Sequence, residues 1–157
     1  MEVVNDRSAR ILLLTSLLTV PSCVLSAHLS LYDCFATSFS VLFFSVNYWR
    51  RPTYGLRRNL DIINTLICLM YQLWASRELE PLFSVLYVYF TLSGMACFLL
   101  GYVDHTVHSG VHVFGNIANV FLYMGLAQVR GGLKHNERAS LNGIPKAYAC
   151  GTYSETT

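Results

Sequence analysis

The sequence predicts an all-α, polytopic integral membrane protein, a bundle of about five transmembrane helices. Three observations carry this reading. Of 157 residues, 54% are hydrophobic and 13% charged, about half the charged share of an ordinary soluble chain. The charges are clustered, and the runs between them come close to the ~20 residues that cross a hydrocarbon core of ~30 Å. Five such runs are present, each bounded by charged or turn-forming residues that set it apart as its own helix.

The first run, residues 11–29, follows Arg7 and Arg10. Its charged start, apolar middle and small residues at Ser26 and Ala27 also fit a signal peptide over residues 1–27, and that alternative stays open. The second, residues 31–49, stops at Arg50 and Arg51. The third, residues 60–76, ends at the polar stretch RELE. The fourth, residues 81–103, opens on Pro81, a residue that suits a helix's first turn. The fifth covers residues 106–128. Residues 1–10 form a short N-terminal segment. Residues 129–157 are polar and glycine-rich without periodicity, so they read as a disordered tail.

A net charge of +2 without a dense basic tail excludes a nucleic-acid partner. Cys23, Cys34, Cys68 and Cys97 lie inside apolar runs, and with Cys150 they show no paired spacing. They read as small hydrophobes, with no disulfide framework or zinc ribbon. Membrane lipids are the expected partners. Gly94, Gly110 and Gly115 permit close helix contact, within one chain or between copies.

Alternating spans place the N-terminus, the 50–59 loop and the 104–105 turn on one side. That side holds Arg7, Arg10, Arg50, Arg51, Arg57 and Arg58, against Arg77 and the tail cations Arg130, Lys134, Arg138 and Lys146 on the other. The short, Arg-dense second loop makes the first side cytoplasmic, with the N-terminus inside. Ser45 and Trp49 at the end of the second run, Asp61 at the start of the third, and His105, His108 and His112 at the start of the fifth then share one depth. His28 lies on the opposite side, and His135 is in the solvated tail.

The three histidines are spaced three and then four apart, which puts them on one helical face, continued by Asn116 and Asn119. Ionisable groups cost about 2.5–3.5 kcal/mol against lipid, so the stripe is expected to face the bundle interior. Two histidines four apart can present nitrogens to one zinc ion. A third ligand from another helix would complete a site with a position left for water. Asp61 is the candidate for that ligand or for orienting the water. His105 is a further candidate, although residues i, i+3 and i+7 of one helix span about 10 Å and do not converge on one ion without a break near Asp104. The competing reading is that these imidazoles hydrogen-bond across helices and fix packing. A proton or ion pathway has thinner support, because the stripe stops near Asn119 and only Asn64 and Gln72 extend polarity into the third run.

The stretch SVNYWRRPTYGLRRNLDIINTLICL resembles the junction between the second and third helices of the CREST superfamily, which includes alkaline ceramidases, adiponectin/progestin-type receptors and hemolysin III-like proteins. In that family a Ser closes the second helix with a His four residues later, an Asp opens the third behind basic residues, and His-x-x-x-His opens the last. Ser45, Asp61 and the pair His108 and His112 match; Trp49 stands where the family has its first histidine. The family has seven helices, so two middle helices would be missing here. The resemblance implies a zinc-dependent hydrolase of a lipid amide or ester, in which His108 and His112 hold the metal, Asp61 is a third ligand or orients the attacking water, and Ser45 stabilises the metal-bound oxygen. The alternative is a non-catalytic membrane protein, lipid-binding, partner-binding or structural, whose Asp/His cluster fixes helix packing.

Overall fold

The computed structural model describes residues 6–101 and 105–141, and no strand is found among them. Six helices occur in order: α1 (Asp6–Ser16), α2 (Thr19–His28), α3 (Tyr32–Trp49), α4 (Leu56–Ala75), α5 (Pro81–Leu100) and α6 (His105–Leu141), with a 3₁₀ turn at Ser76–Glu78 between α4 and α5. The first two are halves of one rod. Pro21 has no N–H for the Leu17 carbonyl and its ring crowds that position. The backbone tightens there to three-residue bonds, from Leu18 N to Thr15 O and from Val20 N to Leu17 O, both at 3.0 Å. The expected run 11–29 therefore starts earlier and is interrupted at Leu17 and Leu18. It packs into the bundle, because buried Leu12 contacts Tyr48 and Trp49.

Three helices are long and apolar enough to cross a membrane, over Arg7–His28, Pro81–Leu100 and Val107–Gly132. Helices α3 and α4 form over nearly the expected residues but are not among these three. The reason lies in their composition: α3 carries Asp33 and several Ser and Thr, and α4 opens on Arg57, Arg58, Asn59 and Asp61. The outward surfaces agree with a lipid setting. Leu14, Phe43, Ile67, Met70, Leu82 and Leu99 are all more than half exposed, a distribution that water would penalise and hydrocarbon does not.

Helix α4 begins one turn before the expected boundary, at Leu56. Gly55 precedes it at φ 134° and ψ −152°, a conformation reserved for glycine. Asp61 consequently sits in the second turn, and Arg57 and Arg58 occupy the first. Cations there oppose the helix dipole, and Arg58 lies 5.5 Å from the centre of the Tyr54 ring. Gly55→Ala is expected to cost about 1–3 kcal/mol, measured as a lowered midpoint of denaturant unfolding in detergent micelles.

Helix α6 is the organising element. It packs closely along α5 and also meets α1 and α2, while α3 lies between that rod and α4. The α5–α6 approach depends on missing side chains: a Cβ at Gly110 would lie 2.7 Å from Cys97 Sγ, and one at Gly125 2.7 Å from Leu79 Cδ2. Gly115, expected to serve the same purpose, has open space beside it. The main core gathers Leu31 and Cys34 of the α3 entrance, Ala75, Tyr87, and Ala118, Leu122, Tyr123 and Leu126 of α6. A smaller cluster of Leu12, Tyr48 and Trp49 closes the opposite end.

The expected disordered tail does not begin at residue 129. Helix α6 runs unbroken to Leu141. Gly131 and Gly132 each cost about 1 kcal/mol relative to Ala, but no proline occurs between them and Leu141, and Leu133, Lys134, Glu137, Arg138, Ala139 and Leu141 include good helix formers. Residues 142–157, 1–5 and 102–104, the last including Asp104, lie outside the described residues.

Candidate functional site

The residues singled out by sequence come together at one end of the bundle, but as two arrangements. The first joins α3 to α4. Ser45, 4% exposed, donates its hydroxyl to Asp61 Oδ1 at 2.7 Å. Helical geometry explains the meeting: Ser45 and Trp49 lie one turn apart on α3, and the Gly55 turn brings α4 back alongside them.

The second arrangement joins α3, α5 and α6. The Trp49 ring packs edge-on against His108, with centroids 5.5 Å apart. Phe98 of α5 lies 5.6 Å from the same imidazole. His108 and His112 are 6.0 Å apart at an interplanar angle of 71°. Nε2 of His112 is shielded from solvent and has no hydrogen-bond partner among the described residues. His108 thus faces inward, against aromatic residues of two other helices.

Among the described residues, no three His, Cys, Asp or Glu side chains are grouped closely enough to hold a metal ion. His108, His112 and Asp61 therefore do not form one ligand set in this arrangement. The carboxylate is engaged by Ser45, and the indole of Trp49 packs on the first imidazole from α3. His105 belongs to the first turn of α6, and its side chain lies outside the described residues.

Further along the stripe, Asn116 fixes α6 against the first rod. Its Oδ1 accepts from Ser22 Oγ at 2.5 Å, and its Nδ2 donates to the His112 carbonyl at 2.6 Å and to Thr19 Oγ1 at 3.5 Å. Sequence placed Asn116 on the polar face but named no partner for it. The available signal was the run of small polar residues in the apolar segments: Ser16, Ser22, Ser26, Ser38 and Ser45 are all buried. Small hydroxyl residues in membrane helices mark interfaces.

A second polar centre, which the sequence reading did not foresee, closes the opposite end. Arg130 Nη1 donates to Asp33 Oδ2 at 2.7 Å, and Arg130 Nε to Glu78 Oε2 at 3.1 Å. The Tyr71 hydroxyl also donates to Asp33. One guanidinium thereby ties together α3, α4 through Tyr71, the 3₁₀ turn and α6. His108 and Arg130 are about 33 Å apart along the α6 axis at 1.5 Å per residue, roughly the hydrocarbon thickness. The two polar centres therefore mark the two ends of the bundle.

Comparison with protein-family models, curated proteins and solved structures gives no match for this chain. The likeness to the CREST superfamily rests on the motif residues alone.

Proposed function

We propose that this chain is a non-catalytic, multi-pass membrane protein whose buried polar side chains fix helix packing. In this reading all five helical rods cross the bilayer, and the Arg-dense end with the N-terminus is cytoplasmic. The observation that carries it is the Ser45–Asp61 hydrogen bond. The only carboxylate available to the imidazole pair among the sequence candidates is held by a neighbouring helix, and Trp49 stands where the motif of the CREST superfamily has a histidine. Polar groups buried in a bundle need partners, and Ser45, Ser22, Asn116 and Asp61 all have them within the chain.

The zinc-hydrolase reading keeps one supporting observation, the unpartnered Nε2 of His112. Elemental analysis of the purified protein separates the two. The expected result is substoichiometric zinc, unchanged in an Asp61→Ala/His112→Ala variant. One zinc per chain in the native protein, lost in that variant along with hydrolysis of a lipid amide or ester, would overturn the packing role. Ser45→Ala is expected to lower unfolding stability by about 1–2 kcal/mol, between the ~0.6 typical of hydrogen bonds in membrane bundles and the larger values for charged partners.

A further inference from the structure

Between α1 and the α3–α4 loop lies a cleft of about 420 Å³, lined by Arg10, Leu13, Trp49, Arg50, Arg51 and Thr53 among others. A volume in this range suits a small polar group. Arg10, Arg50 and Arg51 are exposed, and among the described residues none of them is in an ion pair. Three arginines lining one cleft, with no carboxylate among its described lining residues, make a natural anion site, because their planar guanidinium forks match phosphate oxygens. A second observation points the same way. Trp49 lines this cleft, is 7% exposed, and its Nε1–H has no acceptor among the described residues. A buried donor without an acceptor is costly; Nε1 is shielded from solvent in this arrangement, so an anion in the cleft would meet it once the indole shifts toward the guanidiniums.

The surroundings distinguish a lipid from a soluble anion. Arg10 also borders an adjoining hollow of about 550 Å³, shared with Arg7, Ile11 and Leu14. These four residues follow i, i+3, i+4 and i+7 on one face of α1. The face is cationic at the top and apolar below, with Leu14 66% exposed. The Leu12–Tyr48–Trp49 cluster, with Leu13 against it, packs behind this end. A headgroup phosphate seated among the guanidiniums would thus have an apolar lane for its acyl chains alongside it. The Arg-dense end is also the one assigned to the cytoplasmic leaflet, where anionic lipids are concentrated.

We infer that this cleft binds the phosphate headgroup of an anionic phospholipid, one lipid per chain, with its acyl chains along Ile11 and Leu14. The inference names a ligand for the non-catalytic membrane protein proposed above and rests on that reading. Native mass spectrometry of the detergent-purified chain tests it, with phosphatidic acid and phosphatidylcholine of identical chains as probes. Phosphatidic acid is expected to bind about tenfold more tightly than phosphatidylcholine. Arg10→Gln and Arg51→Gln, on separate elements, are each expected to lower that affinity about tenfold, the scale of one charge-assisted hydrogen bond. Arg57→Gln, on the same side but outside the cleft, should leave it unchanged. Trp49→Phe should weaken binding severalfold while unfolding reports an intact bundle. Equal loss with Arg57→Gln, or no discrimination between the two lipids, would overturn the site. Displacement of the lipid by equimolar inorganic phosphate would also overturn it, by showing a soluble anion to be the occupant. Cleavage of the bound lipid would appear in the same spectra as a mass loss. That outcome would defeat the non-catalytic reading and leave the cleft assignment standing.

Discussion

Tyr123→Ala is expected to destabilise the bundle by about 3 kcal/mol, at the low end of the ~3–5 kcal/mol seen for removal of a buried aromatic. Tyr123 is fully buried in the main core, among residues of α3, α4, α5 and α6. Lipid tails are as apolar as the core, so little transfer free energy opposes its removal. The cost comes from the cavity and from lost dispersion contacts, which a close-packed helix interface cannot recover by collapse. Its hydroxyl pairs with that of Ser38. Tyr123→Phe should cost only ~0.6 kcal/mol, the average for such bonds in membrane bundles. Ser38 can turn to a carbonyl of its own helix, as Ser40 does toward Thr37 O at 2.9 Å. Steric-trap or denaturant unfolding in micelles measures both variants. Equal losses from Ala and Phe would show that the hydrogen bond, and not packing, holds α3 to α6.

Much of this architecture was legible in the chain because apolar runs and their charged stops are local signals. Arg50 and Arg51 end the second run, and α3 stops at Trp49 immediately before them. Pro81 opens the fourth run, and α5 begins on it. The inward face of α6 also followed from period alone, since His108, His112 and Asn116 repeat every four residues. The partners of that face were not legible. Ser22 and Asn116 are 94 residues apart, and nothing local in either segment selects the other. Depth was readable from the bilayer constraint, which is why Ser45 and Asp61 were expected at one level. Which helix stands beside which was not, so the expected Asp–His convergence was replaced by a Ser–Asp pair and a His–Trp pair. Arg130 shows the same limit from the other direction. Its flanking glycines and polar composition suggested a tail, while the carboxylates that hold it lie 97 and 52 residues away.

Arg130→Gln is the second substitution expected to have a large effect, at about 2 kcal/mol. Exposed ion pairs contribute ~0–1 kcal/mol, and breaking a fully buried pair costs ~3–5 kcal/mol. Arg130 is 27% exposed, with Asp33 and Glu78 at 36% and 37%, so the value falls between those limits. The guanidinium reaches two carboxylates at once, and its removal leaves both anions facing one another across the α3 entrance and the 3₁₀ turn. Arg130→Lys keeps the charge but cannot span both carboxylates with a fork, so an intermediate loss of about 1 kcal/mol is expected. The decisive comparison adds Asp33→Asn and Glu78→Gln to Arg130→Gln. Neutralising the anions in the Arg130→Gln background should restore much of the stability lost with the cation, giving a favourable coupling of at least ~1 kcal/mol in the mutant cycle. Additive losses would mean that Arg130 stabilises this end through its aliphatic stem and not through the ion pairs.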